Sequence, residues 1–468
     1  MTSSRPASDT ATEPIATHLR PSAHFTTRDT WLNDPNGLVH HKGVYHLFYQ
    51  NNPEGSTWGN ISWGHATSTD LVSWTEKGVA IRNTPEEMVF SGSAVVDHHN
   101  TSGLAGPDQV AMVAVYTSAS TAASPHPGRQ AQSLAYSLDD GDTWTRYAGN
   151  PVLDIGSSEF RDPKVFWYGE RDGHWVMVAV EAVERRVVVY TSPDLIVWTR
   201  ASHVGPAHAV GGVWECPDLF PLRVRGTNRT RWVLLVSLNP GGIAGGSGTQ
   251  YFVGDFDGTT FTPDRLSTSD QLASYDWLDH GRDYYAAVSF SGVPDDRRLT
   301  VGWASNWDYA NDTPTAPWRS AMSLVRELDL VEDRDGTLRV AQRPVLPPQH
   351  ERSDDLLVRE LQVDTGPGRR HQVVLSSRAS GEGDRVTITV DGDERTLSCD
   401  RTQSGAVAFH PSFPSVDSAP LLGSTTTDLL LVVDGCVVEI YVDGGMVALT
   451  QLVFPGSRLA HVHHVSLA

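Results

Sequence analysis

The sequence predicts an all-β protein, a five-bladed β-propeller followed by a C-terminal β-sandwich, on three observations. Amphipathic helical periodicity is scarce, and short apolar or alternating runs recur between clusters of Gly, Pro, Asn and Asp. A turn built on Ser and Asp and closed by an aromatic residue returns about every 50 to 70 residues, a period that suits one four-stranded blade. A Pro-rich stretch, Ala341-Gln342-Arg343-Pro344-Val345-Leu346-Pro347-Pro348, then precedes strands that end in Asp-Gly turns.

Taken in order, Met1 to about Pro21 is polar and rich in Ser, Thr, Ala and Pro, so 1–21 reads as a disordered lead-in. It lacks the apolar core of a secretory signal. The sequence as given therefore reads as cytoplasmic, and as secreted if a leader has been trimmed. The propeller is expected over 22–340. Its strands include Val44-Tyr45-His46-Leu47-Phe48-Tyr49-Gln50, Val110 to Tyr116, Trp175 to Val180 and Trp232 to Val236, many of them apolar throughout and so covered on both faces. The repeated turn occurs at Ser68-Thr69-Asp70-Leu71-Val72-Ser73-Trp74, in longer form from Ser137 to Trp144, again from Ser192 to Trp198, and in degenerate form from Asp255 to Phe261. A linker is expected over 341–352 and the sandwich over 353–468, where Arg385 to Asp393 and Cys436 to Gly445 are strands with hairpin turns.

At 468 residues the chain can bury a large core. Its 56 acidic against 36 basic residues, a net charge of −20, argue against nucleic acid or an anionic membrane as partner. No stretch is long and apolar enough for a membrane helix. Three cysteines, Cys216, Cys399 and Cys436, cannot build a disulfide framework and are expected as free buried thiols, although a Cys399–Cys436 bridge is open. The terminal His461-Val462-His463-His464 alternates as a strand does and is not read as a metal site. Oligomeric state leaves no mark in the sequence.

The chemistry begins at Trp31-Leu32-Asn33-Asp34-Pro35-Asn36-Gly37. Asn-Asp-Pro-Asn-Gly has the composition of a tight turn with a carboxylate at its tip. Strands rich in amides and aromatics come next, and then Trp58-Gly59-Asn60-Ile61-Ser62-Trp63-Gly64-His65. Aromatic faces can cover the apolar side of a sugar ring while amides and carboxylates bond its hydroxyls. Fourteen Trp are consistent with that use. Residues 31–82 resemble the opening of glycoside hydrolase family 32, the invertases, inulinases and levanases that cleave β-fructofuranosides. Val433 to Pro455 resembles the end of the sandwich in that family.

The resemblance implies a role for each matching residue. Asp34 matches the nucleophile, Glu215 in Trp214-Glu215-Cys216-Pro217-Asp218 the general acid/base, and Asp162 in Phe160-Arg161-Asp162-Pro163 the carboxylate that stabilises the transition state. Arg161 is expected to keep Asp162 ionised. Asn33, Gln50, Trp58, Phe90, Ser91, Arg161 and Cys216 match residues around the fructosyl unit. Asp283 and Tyr284, in the block from Asp279 to Ala286, are expected to support the floor. Trp303 is expected to line the fructosyl site, with Trp307, Tyr309 and Trp318 at its rim. The run from Gly302 to Arg319 looks more like exo-levanases and exo-inulinases than like sucrose-phosphate hydrolases.

The resemblance implies a retaining exo-β-fructosidase acting on levan- or inulin-type chains and on sucrose, with no metal or organic cofactor. Linkage preference, β-2,6 against β-2,1, stays open. A fructosyl-transferring relative would carry the same three carboxylates. A sugar-binding propeller without catalysis would be expected to lack one of them.

Overall fold

A computed structural model describes residues 17–267, 269, 271–423 and 425–467. Among these residues the protein is built of β-strands, with helix confined to five short 3-10 turns. From Trp31 to Pro344 the chain forms five consecutive antiparallel sheets. Each of the first four is a simple meander of four strands. The fifth adds the two-residue strand Ala321–Met322 beside its second strand.

The first strands of the five sheets, Trp31–His41, Glu87–Asp97, Phe160–Tyr168, Val213–Arg223 and Tyr285–Ser289, touch one another in a closed circuit. The circuit returns to its start through the segment after the fifth sheet's second strand, where the Leu32 amide donates to the Arg319 carbonyl at 3.2 Å. Strands such as His174–Glu181 have apolar side chains buried on both faces between adjacent sheets, which is why their sequences do not alternate.

The repeated Ser/Asp turn occupies the same place in four sheets, between the third and fourth strands. Asp70 Oδ1 accepts the amides of Val72 and Ser73 at 2.9 and 2.7 Å, and Asp194 Oδ1 those of Ile196 and Val197 at 2.9 and 2.8 Å. Asp139 and Asp257 cap their turns in the same way. In the second and third sheets the indoles of Trp144 and Trp198 donate back into the turn that precedes them.

Two further sheets complete the protein. One comprises Leu356–Asp364, Thr426–Asp434, Val437–Val442 and Val447–Leu452. The other runs in the order Val416–Pro420, Thr396–Gln403, Arg385–Asp391, Arg370–Ser376 and His461–Ser466. They share one apolar core that includes Val373, Ile388, Leu397, Leu431, Ile440 and Leu449.

Three sequence expectations are corrected. Asn33–Gly37 is not a turn. It lies inside the strand Trp31–His41, which pairs with Val44–Asn52 and takes up Asn33-Asp34 and Gly37-Leu38 in two breaks of register. The expected linker starts too early, since Leu338–Pro344 is the fifth sheet's last strand, paired along its length with Arg326–Glu332. Residues 1–16 of the expected lead-in lie outside the described residues, but 17–21 is ordered. Leu19 enters an apolar seam with Trp318, Phe413, Cys436 and Phe454, and its carbonyl accepts the Cys436 amide at 2.9 Å.

That seam also holds buried charge. His24 Nδ1 lies 2.8 Å from Asp434 Oδ2 and its Nε2 3.4 Å from Glu439 Oε1. Burial acts against the imidazolium, but the two carboxylates outweigh it and raise His24 to about 9. A pKa raised above the ordinary 6.5 gives stability that is complete below pH 6.5 and is lost as pH rises through about 9. Comparing parent with His24→Gln by thermal unfolding between pH 6 and 9.5 should therefore show a fall in the parent, roughly 3 kcal/mol in full, that the variant lacks. Parallel curves for the two proteins would refute the assignment.

Candidate active site

The five first strands share a local irregularity. Each breaks register with its neighbour close to its N-terminal end, between Leu32 and Pro35, Val89 and Gly92, Arg161 and Lys164, Glu215 and Asp218, and Tyr285 and Val288. A bulge leaves a residue unpaired and re-aims its side chain. Sequence assists at three of them, because Pro35, Pro163 and Pro217 have no amide proton to lose from the ladder. Asp162, Cys216 and Ala286 adopt left-handed φ angles of 62°, 47° and 53°, conformations that cost non-glycine residues energy and have to be held by surrounding structure.

The consequence is convergence. Asp34, Asp162 and Glu215 come from three different sheets and meet around Cys216, whose Sγ lies 3.7 Å from both Asp34 Oδ2 and Asp162 Oδ2. Asp34 Oδ2 accepts the Ser91 hydroxyl at 2.7 Å, while its Oδ1 is buried and takes no hydrogen bond from the described residues. Burial and the nearby Glu215 raise the Asp34 carboxyl above its ordinary range, against the pull of Ser91. Asp162 is clasped from two sides. Its own amide donates to Thr117 Oγ1, and its Oδ2 accepts the Cys216 amide, both at 2.9 Å.

Glu215 Oε1 accepts from Arg161 at 3.1–3.2 Å, and Oε2 accepts the Tyr285 hydroxyl. Arg161 also reaches Glu159 Oε2 at 2.7 Å and lies 3.9 Å from Asp162. One guanidinium is thus divided among three carboxylates. The expectation that Arg161 keeps Asp162 ionised is nevertheless corrected. Burial, with Glu215 and Asp34 adding to it, outweighs Arg161 and pushes Asp162 up to about 7. The Cys216 thiol is pushed well above its ordinary value, by burial first and then by the same carboxylates, so it is a neutral donor in the cluster.

Aromatic side chains stand beside the carboxylates. The ring centroid of Trp303 is 6.1 Å from Trp31 and 4.8 Å from Trp307, and that of Trp31 is 6.1 Å from Trp307. Trp303 is fully buried and its Nε1 has no partner among the described residues. Trp31 Nε1 donates to Asn33 Oδ1 at 2.8 Å, fixing the amide next to Asp34. Gln50 donates to the Val89 carbonyl at 3.1 Å and so braces the segment that carries Phe90 and Ser91. Trp58, 42% exposed, lies against Phe90.

Two expected rim positions fall elsewhere, and the two expected floor residues make their bonds away from the carboxylates. Trp318 is buried in the seam with the sandwich, where the Arg20 guanidinium covers its ring at 4.7 Å, and it does not form a rim. Tyr309 is buried there too, against Phe409 and Phe413. Asp283 pairs with Arg401 of the sandwich, and Tyr284 lies beneath Arg326 at 4.1 Å. Sequence reasoning missed Tyr285 and Thr117. Tyr285 stands in the same block as Tyr284, and the opposite directions of neighbouring side chains send one phenol to Glu215 and the other beneath Arg326.

Comparison with known proteins agrees with this geometry. The family profile "Glycosyl hydrolases family 32 N-terminal domain" matches residues 24–344, and "Glycosyl hydrolases family 32 C terminal" matches 336–467. The chain is 43% identical to a levanase of Bacillus subtilis over 93% of its own length and 66% of that protein's. It is 40% identical to an extracellular exo-inulinase of Aspergillus niger, covering 95% of this chain and 91% of that one. Among solved structures, the exo-inulinase of Aspergillus awamori superposes with a TM-score of 0.85 at 38% identity, covering 96% of this chain and 95% of that one. The fructofuranosidase of Schwanniomyces occidentalis, complexed with fructose, gives 0.86 at 34% identity, covering 97% and 96%. The chain belongs to glycoside hydrolase family 32.

Proposed function

We propose that this protein is a retaining exo-β-fructofuranosidase that removes terminal fructose from levan- or inulin-type chains and from sucrose. The observation that carries the reading is the division of labour between two carboxylates at one point. Asp34 presents a buried oxygen without a hydrogen bond from the described residues, and Glu215 is held at both oxygens by Arg161 and Tyr285. The names of the relatives, levanase, exo-inulinase and fructofuranosidase, support the substrate class. We infer as well that the five sheets are five blades around one axis, a reading supported by the closed circuit of their first strands.

In this mechanism the Asp34 carboxylate attacks the anomeric carbon of the terminal fructosyl unit. The bond from that carbon to the glycosidic oxygen breaks, and Glu215 gives its proton to the departing oxygen. Water then gives a proton to Glu215 and attacks the same carbon from the opposite side to the bond with Asp34, releasing β-fructose and restoring both carboxyl groups. Asp162 bonds ring hydroxyls as positive charge develops. Trp307, backed by the fully buried Trp31 and Trp303, covers the sugar and excludes water, which strengthens each charge interaction.

Chromatography of products from levan, inulin and sucrose tests the reading, with free fructose expected as the only early product from the two polymers. Oligosaccharides of intermediate length, or a difructose, would overturn it in favour of endo-cleavage or fructosyl transfer. Replacing Asp34 by Asn should lower kcat by about 10³-fold or more, measured as fructose release from sucrose. Ser91→Ala addresses the electrostatics. Its hydroxyl pulls the Asp34 carboxyl down, so its loss raises that carboxyl further, and the nucleophile becomes protonated at a higher pH. The acid limb of kcat/KM should move upward, and an unmoved limb would exclude Asp34 as the group it reports. Tyr285→Phe leaves Glu215 Oε2 without its donor and should cost about tenfold in kcat.

A further inference from the structure

The sandwich stands apart from the three carboxylates, yet one of its side chains reaches toward the site by two routes. Arg401, on the strand Thr396–Gln403, is fully buried. Its Nε donates to the Phe413 carbonyl at 2.8 Å and its Nη1 to the Leu452 carbonyl at 3.3 Å, so two donors secure it within the sandwich. Its other bonds cross the seam. Nη1 meets Asp283 Oδ2, and Nη2 meets the Tyr309 hydroxyl at 2.9 Å. The Tyr309 hydroxyl in turn donates to Asp283 Oδ1, closing a three-membered network.

Both partners sit next to groups of the site. Tyr309 closes the turn that begins at Asn306 and sets Trp307 against the Trp31–Trp303 pair. The amides of Tyr309 and Ala310 donate to the Asn306 carbonyl at 3.2 and 3.0 Å, and the Asn306 side chain donates to the Arg282 carbonyl at 2.7 Å. Asp283 lies two residues before Tyr285, the donor to Glu215. The segment leading to it hangs on the free edge of the sandwich strand Val447–Leu452. The Asp283 amide donates to the Thr450 carbonyl at 3.1 Å, and Asp283 Oδ2 accepts the Leu452 amide at 2.8 Å. At Gly281 a Cβ would stand 2.2 Å from the Thr450 carbonyl oxygen, so only glycine permits this approach.

We propose that the sandwich is a working part of the active site, with Arg401 as a positioning residue that sets Trp307 through Tyr309 and Tyr285 through Asp283. The inference rests on the functional reading above, because it takes the pocket between Trp307 and Glu215 to be the fructosyl site. Arg401 touches no substrate. Its effect is to fix two walls of one pocket against a common support, so that they cannot move apart.

The test compares Arg401→Lys and Tyr309→Phe with Asp434→Asn, which weakens another buried ion pair of the seam, His24–Asp434, and bonds neither Asp283 nor Tyr309. The measurements are the inhibition constant of free fructose against sucrose hydrolysis, kcat and KM on sucrose, and the unfolding midpoint. Tyr309→Phe should raise the fructose constant and KM about tenfold with kcat little changed, and Arg401→Lys should also lower kcat. Asp434→Asn should lower the midpoint and leave the fructose constant as in the parent. If Arg401→Lys does not fold, Tyr309→Phe, which removes one hydroxyl, decides alone. The proposal is overturned if folded Tyr309→Phe keeps its fructose constant within about twofold of the parent, or if Asp434→Asn raises it equally, since the effect would then be general loosening. A parent that neither hydrolyses sucrose nor is inhibited by fructose would remove the functional reading first, and the positioning role with it.

Discussion

A regular β-strand sends successive side chains to opposite faces, so it cannot aim neighbouring functional groups at one point. The site of this protein depends on escaping that constraint five times, by a break of register near the N-terminal end of each first strand. Where the break carries a positive φ, something has to hold it. At Asp162 and Cys216 the same hydrogen bond serves both, because the Cys216 amide, freed from the ladder by its own bulge, donates to the Asp162 carboxylate. Two strained residues from adjacent sheets thus stabilise each other, and the carboxylate they hold is the one that Cys216 Sγ joins to Asp34.

The same arrangement sets the electrostatics. Arg161 at 3.9 Å from Asp162 is worth about 4 kcal/mol to the ionised carboxylate at an effective dielectric constant of about 20. Burial together with two further carboxylates exceeds that, and Asp162 rises to about 7. Asp34 is raised for the same two reasons. A cluster of three carboxylates served by a single guanidinium therefore does not carry its full negative charge at neutral pH. Proton sharing of this kind suits a site that has to supply one proton and one free electron pair at a separation of a few ångströms.

Much of this was legible in the residues, because the chemistry demands particular side chains in particular surroundings. Asp34, Asp162 and Glu215 stood out, as did the turn of Ser68–Trp74 with its repeats, since an Asp that caps its own turn leaves a local signature. The illegible part was decided by packing. Asn33–Gly37 has turn composition, but pairing with Val44–Asn52 overrode it. Trp318 and Tyr309 have the local pattern of sugar-facing aromatics and instead face the sandwich, because a loop that crosses a seam has two apolar neighbours to choose from. Tyr284 and Tyr285 are neighbours on the same side of a bulge and differ only in which face each side chain takes. The charge of Asp162 depends on burial and on carboxylates from two other sheets, and neither is visible to a reading by nearest neighbour.

Stability alone is a poor explanation for the polar seam. An isolated Arg–Asp pair in a dry interior roughly offsets its own desolvation, and apolar replacements of similar volume often do as well or better. Arg401 and Asp283 are both fully buried, yet the aromatic surroundings of Phe409, Phe413 and Phe454 would accept an apolar pair without difficulty. Apolar packing lacks direction, however. A guanidinium fork engaging a carboxylate, a phenol and two carbonyls fixes the relative placement of the groups that carry them more tightly than side chains free to repack. The seam therefore contributes orientation more than cohesion. Orientation has to be kept between Trp307 and Tyr285, which approach one pocket from different segments and are held in place through a common support.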